Sequence, residues 1–136
     1  MKWVTREHCH VDRTACAWLI RRFIDPEAEF LFAADPSQLP ADATPFDITG
    51  HQFSHHDGAS TFEVLVRHYG LDVPGLEAMG RVIHEADIED ERYDAPEAPG
   101  LDAIIRGMGE NLADPELVEL SATLYDGLLA YLAARG

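Results

Sequence analysis

Three stretches near the start of the chain decide its fold: Lys2-Trp3-Val4-Thr5-Arg6, then Val11-Asp12-Arg13-Thr14-Ala15-Cys16-Ala17-Trp18-Leu19-Ile20-Arg21-Arg22-Phe23, then Glu29-Phe30-Leu31-Phe32-Ala33. Trp3, Val4 and Thr5 are aromatic or β-branched, types that fit a pleated surface. In the second stretch Val11, Ala15, Trp18, Leu19 and Phe23 recur with the period of an amphipathic helix. Asp12 stands where a helix opens, Arg21 and Arg22 near its end suit the helix dipole, and Asp25-Pro26 stops it. The third stretch is a short apolar run suited to a buried strand. Strand, helix and strand in this order predict a right-handed crossover between two parallel strands.

Working outward, residues 35–44 contain two prolines and read as a loop. Phe46-Asp47-Ile48 reads as a third strand, and Gln52-Phe53-Ser54-His55 as a fourth, reached through the turn at Gly50. Strand alternation would put His55 on the face of Phe53 and His56 on the other. From residue 60 the pattern is helical. Phe62, Leu65, Val66 and Tyr69 form one stripe, closed by Gly70. A second helix opens near Asp72 and Pro74 and runs to about Asp90; the loop after it spans residues 91–100. Residues 101–108 form a shorter helix, and Asp114-Pro115-Glu116 starts the last one. The expected architecture is one α+β domain over residues 1–136. It has a small, mostly N-terminal sheet with a β-α-β unit, packed by about five α-helices.

At 136 residues and 46% hydrophobic content the chain can bury a real core. No apolar run reaches the length of a membrane span, and the N-terminus lacks the apolar centre of a signal peptide, so a cytoplasmic protein without membrane contact is expected. Ten Lys and Arg stand against 25 Asp and Glu, a formal charge of -15. That surface repels nucleic-acid phosphate, which disfavours direct DNA binding by this chain alone, and it attracts divalent cations. Cys9 and Cys16, the two cysteines, are seven apart, which is no zinc-type spacing.

Ionisable residues interrupt the helical pattern in one place. Leu76, Met79, Ile83 and Ala86 share one apolar arc; Asp90 falls inside it, Asp87 at its edge and His84 just beyond. Carboxylates turned toward a core are costly unless paired, hydrogen-bonded or bound to metal. His84 and Asp87 lie on adjacent turns and can bind one ion, for which imidazole with carboxylates suits iron, manganese or zinc. A second group is His55-His56-Asp57 followed by Glu63. Ser60-x-x-Glu63 also matches a capping box, and Arg67 is an ion-pair partner one turn on from Glu63. The third is His8, Cys9, His10, Asp12 and Arg13, with Arg21 and Arg22 further along. A helix N-terminus beside arginine is a natural anion site; a solvated charged face with Asp12 as a simple cap is the alternative.

The opening block, Trp3-Val4-Thr5-Arg6 with Val11-Asp12-Arg13 and Ala17-Trp18-Leu19-Ile20-Arg21-Arg22-Phe23-Ile24-Asp25, resembles the ChrB-type chromate-resistance domain. Pro45-Phe46-Asp47, Phe53-Ser54-His55-His56, Thr61-Phe62-Glu63 and His84, Asp87, Asp90 follow in the family's order. The resemblance implies a role in bacterial chromate resistance, with His55, Glu63, His84 and Asp87 as the site. Asp12, Arg13, Arg21, Arg22 and Asp90 are additional candidates for the site. Longer members resemble chromate-responsive regulators with a further N-terminal region, and this chain is expected to be the domain alone. The leading expectation is a metal-binding domain acting in chromate or oxidative stress, with iron or manganese favoured and zinc a third option. The alternatives are a redox metalloenzyme of the superoxide dismutase type, a sensor of chromate or another oxyanion built on the Arg-rich first helix, and a structural domain whose acids pair with those arginines. Enzymatic activity and oligomeric state stay open.

Overall fold

Strand β1 (Lys2–Arg6) lies between β2 (Glu29–Ala33) and β3 (Ala43–Pro45), and both neighbours run parallel to it. Trp3 sits opposite Phe30 on one side and Thr44 on the other. The crossover from β1 to β2 is helix α1 (Val11–Leu19), which widens into a π-helical turn over Ile20–Ile24 before Asp25 returns to extended backbone. The Trp3 indole N–H donates to the Asp25 carboxylate at 3.0 Å, fastening the end of that turn to the sheet. The β-α-β unit expected from the hydrophobic period is therefore present. The computed structural model describes residues 1–88, 90 and 92–135. Glu89 and Glu91, which the sequence places in the third-helix run and at the start of the following loop, lie outside the described residues, as does Gly136.

The third strand lies slightly earlier than its composition suggests. Phe46 donates its N–H to Val4 and forms a single bridge to Phe53, but Asp47 takes a left-handed conformation (φ 54°) that turns the chain away. The expected fourth strand forms no ladder; beyond that bridge, residues 52–55 are irregular. Alternation therefore does not govern this segment, and Phe53 and Ser54 are both buried while His55 is exposed.

Four further helices complete the fold: α2 (Thr61–His68), α3 (Leu76–Asp87), α4 (Ala98–Gly109) and α5 (Asp114–Arg135). Helix α3 starts later than expected because Gly75 before it sits at φ 85°, where a Cβ would come within 2.7 Å of the Ala133 backbone. It also stops at Asp87, with Ile88 extended, so Asp90 is not on the helix. Helix α4 begins earlier than residue 101, with Pro99 in its first turn, where a missing N–H costs nothing.

Helix α1 is the centre of the molecule, packed by α2, α3, α4 and α5. Tyr125 of α5 is fully buried, with its hydroxyl 2.6 Å from Thr14 Oγ1 and donating to the Val11 carbonyl at 3.1 Å. By length and composition alone α5 could cross a membrane, contrary to the sequence expectation, but in this fold Leu117, Val118, Ser121 and Tyr125 are buried against protein.

Candidate functional site

The strands run parallel, so their carboxyl ends gather at one edge, the usual place for a ligand in such sheets. Arg6 closes β1 there, α1 begins there with His10 and Arg13, and the chain leaving β3 brings Asp47. These residues, with His55 and Asp87, line a cleft of about 180 Å³.

Asp12 is the buried anchor beside this cleft. It lies in the first turn of α1 yet does not cap that helix. Its Oδ1 accepts the Phe62 N–H at 3.0 Å and the Cys16 thiol at 3.4 Å; its Oδ2 accepts the Thr61 N–H at 3.0 Å. These amides are the first two of α2, and the third, Glu63 N–H, goes to Ser60 Oγ at 3.2 Å. One carboxylate thus holds the N-terminus of a helix 49 residues away in sequence. The same Oδ2 meets His55 Nε2 at 3.0 Å.

Three carboxylates converge on that imidazole nitrogen, for Asp47 Oδ1 and Asp87 Oδ2 each lie 3.5 Å from it. The Asp12 hydrogen bond, against the opposing pull of burial, raises the His55 pKa to about 9, so the ring donates as an imidazolium. Asp47 accepts the Thr61 hydroxyl at 2.7 Å and touches Arg13 Nε at 3.0 Å. That Arg13 contact is one of charge only, because the Nε–H lacks hydrogen-bond alignment among the described residues. Burial and the neighbouring Asp12 push the Asp47 carboxyl up to about 7, and the same two causes raise Asp87. Asp12, His55 and Asp87 each place a ligand atom within 4.8 Å of the others, a group able to hold a metal ion.

A second cluster stands on the other side of the α2 N-terminus. His84 is fully buried on α3, with Nδ1 2.6 Å from Glu63 Oε1 and Nε2 2.8 Å from Asp90 Oδ2. Both partners are carboxylates, so both ring nitrogens donate and the ring is charged. Burial pulls the His84 pKa down, but its bonds to Asp90 and Glu63 win and raise it. Glu63 Oε1 also accepts the Ser60 N–H at 3.0 Å, completing the capping box, and Oε2 accepts the Tyr93 hydroxyl at 3.2 Å. Burial alone would raise the Glu63 carboxyl, yet the Ser60 amide and His84 bring it below its ordinary value.

The four residues expected to converge are thus divided. His55 and Asp87 share the cleft, while Glu63 and His84 are bonded to each other. Asp90 is exposed rather than turned toward the core, and it reaches His84 from the chain beyond α3. Arg13 joins the cleft. Arg21 and Arg22 instead face α5, where they pair with Glu119 at 2.8 Å and Asp126 at 2.6 Å, and Arg21 also stacks on Phe30. Neither Glu63 nor Asp87 takes an arginine among the described ion pairs. The cleft role of Asp47 was missed, although Pro45-Phe46-Asp47 was part of the resemblance; its left-handed backbone has no clear sign in the sequence. Cys16 is buried and its thiol is pushed well above the usual range by that burial and by Asp12, which leaves it a proton donor rather than a thiolate ligand.

Fold and cleft together define a small α+β protein with carboxylates and an imidazole at its strand ends. The chain belongs to the family of the ChrB C-terminal domain, whose model matches residues 3–132. It is 42% identical over 135 residues to Protein ChrB of Cupriavidus metallidurans, a match covering 98% of this chain and 41% of that relative. The chain therefore spans about two-fifths of the relative's length. No solved structure matches it. Membership places the chain in the chromate-resistance family.

Proposed function

We propose that this chain is a metal-binding domain serving the response to chromate or oxidative stress, and that Asp12, His55 and Asp87 hold a divalent transition metal. The convergence of Asp12, Asp47 and Asp87 on His55 carries this reading. Three carboxylates there crowd one imidazolium, with Arg13 against only Asp47 and Arg6 elsewhere on the cleft wall, a local concentration of negative charge in a partly buried place. Burial first, and the neighbouring Asp12 charge second, raise the Asp47 and Asp87 carboxyls, so the crowding is costly when all three are ionised. A cation relieves it better than a proton does. Two carboxylates and an imidazole favour iron or manganese, with zinc as a third option. When bound, such an ion supplies Lewis acidity and, for iron or manganese, redox capacity. Glu63 and His84 support this site from the adjoining cluster rather than as ligands.

The test is titration of the purified chain with Mn(II), Fe(II) and Zn(II), beside elemental analysis. The expected result is one ion per chain, lost in Asp87→Asn and in His55→Ala but retained in His84→Gln wherever that variant stays folded. Full binding by the first two variants would remove the metal from this cleft.

A second reading has its own observation. Arg6 takes no acid among the described ion pairs and lines the cleft beside His10 and Arg13, so an oxyanion site belongs here rather than at Arg21 and Arg22. Binding of chromate or sulfate that is lost in Arg6→Ala, and unchanged when Arg21 and Arg22 are both replaced by alanine, would support it.

A further inference from the structure

Helices α2 and α3 and the loop joining them enclose a second cavity, apart from the cleft around His55. At about 680 Å³ against about 180 Å³ it is the larger of the two, and its size is that of a small-molecule site. Val66, Leu71, Val73, Pro74 and Leu76 give it apolar walls, and Arg67 and Arg81 bring two guanidinium groups to its edge. Sequence spacing pairs Arg67 with Glu63, one turn earlier on α2. The fold prevents that pair. One Glu63 oxygen is taken by His84 and Ser60 and the other by the Tyr93 hydroxyl. Arg67 therefore takes no acid among the described ion pairs. Arg81 holds Glu77 at 3.4 Å, and that glutamate is 93% exposed. Of the acids at the cavity, Glu63 is balanced by the His84 imidazolium, while Glu77 and Asp72 stand in water.

Gly80 forms part of the cavity wall from within α3. A glycine inside a helix weakens it relative to alanine. Packing does not demand one here, because a Cβ would meet Glu63 Cγ at 3.6 Å and Phe62 Cδ1 at 3.7 Å, ordinary contact distances. What the missing side chain preserves is room in the cavity. The two kinds of lining select the occupant. A bare inorganic anion leaves the aliphatic walls unused, and a neutral hydrocarbon leaves Arg67 without a counter-charge. A guanidinium presents a planar fork of donors that matches a carboxylate.

We infer that the cavity between α2 and α3 is a binding site for a small organic carboxylate with an apolar body, its charge held by Arg67 with Arg81 as the second cation, and its body against Val66, Leu71, Val73 and Leu76. The site stands independently of the metal cleft. Its occupant lies beside Glu63 and Tyr93, whose hydrogen bond belongs to the cluster that holds His84.

Amide-detected NMR titration of the full, metal-free chain with hexanoate, 1-hexanol and inorganic phosphate tests this. Hexanoate should give saturable shifts at residues 66–76 and at Gly80, with a Kd of about 1 mM or below. Both 1-hexanol and phosphate should bind there at least about tenfold more weakly. Arg67→Gln, at an exposed position with no ion pair to lose, should weaken hexanoate about tenfold and leave the melting temperature unchanged. Gly80→Leu should weaken it as much by filling the cavity, while leucine suits the helix better than glycine. No saturation by about 10 mM hexanoate overturns the inference, and so does equal binding of 1-hexanol or phosphate. Binding indifferent to Arg67→Gln overturns it as well. Shifts confined to the cleft around Arg6 and Arg13 would move the carboxylate to that site instead.

Discussion

Two clusters of the same residue types flank the N-terminus of α2, and they are built to opposite specifications. In the Glu63–His84–Asp90 cluster each charge has its complement. The imidazolium gives one N–H to each carboxylate, and Glu63 takes three further hydrogen bonds, from Ser60 N–H and Oγ–H and from Tyr93. In the cleft, three carboxylates compete for one imidazole nitrogen, and only Asp12 has a full set of donors. The effect on protonation is opposite too. Glu63 and Asp90 are held below their ordinary carboxylate values, while Asp47 and Asp87 are driven above theirs. A satisfied cluster stabilises the fold; an unsatisfied one leaves binding capacity for a cation.

The contrast is broken most directly by removing the centre of each cluster. Asp12→Ala leaves the Thr61 and Phe62 amides buried without an acceptor and takes away the partner of His55, so a loss of about 4 kcal/mol is expected. His84→Gln, which leaves Glu63 without its cation and places an amide between two acids, should cost about 3 kcal/mol. Urea unfolding monitored by circular dichroism measures both. A cost below about 1 kcal/mol for His84→Gln would mean that its pairs behave as surface ion pairs, and the division into lock and cleft would fail.

What the sequence made legible follows from the same physics. The β-α-β unit was readable because Trp3 to Thr5, the apolar period of α1 and Glu29–Ala33 are local patterns. Helical phase pointed to a polar site at the end of α3, but it put Asp90 inside the apolar arc and His84 just beyond it, whereas His84 is fully buried and Asp90 lies exposed beyond the helix. Strand β3 was not readable in place: Ala43-Thr44-Pro45 has no strand-like composition and is a strand because β1 offers it a ladder. The Asp12 cap of α2 was hidden as well. Capping rules look one turn ahead in sequence, whereas this carboxylate reaches another helix through the fold. For the same reason Glu63 was legible as a capping-box residue but its bond to His84 was not.

Acidity sharpens the comparison with a smaller effect. Asp47, raised from 3.8 to about 7, favours the folded state while protonated, so its contribution is present at acid pH and is lost as pH rises through about 7. His55, raised from 6.5 to about 9, contributes fully below 6.5 and loses that contribution as pH rises through about 9. Glu63 works the other way, with a stabilisation present above 4.5 and lost as pH falls through its depressed value. Metal-free protein should therefore melt highest near pH 5 to 6 and decline toward pH 9. A flat profile between pH 6 and 9 would show that the cleft carboxylates carry no excess charge.

The smallest effect has the most telling sign. Asp47→Asn keeps an acceptor for the Thr61 hydroxyl and removes one of the three competing charges around His55. Arg13 loses its counter-charge, but that contact has no hydrogen-bond alignment to lose. The metal-free variant should therefore be more stable than the parent at pH 8 by about 1 kcal/mol, and its melting temperature should vary less between pH 6 and 8. The corresponding change in the other cluster, Glu63→Gln, should destabilise, because it removes a carboxylate whose every bond is made. Opposite signs for these two acid-to-amide substitutions, measured in the same buffer without metal, are what separates a cleft held in readiness for a cation from a cluster already complete. If Asp47→Asn destabilises as Glu63→Gln does, both clusters are structural and the carboxylates around His55 are already in balance.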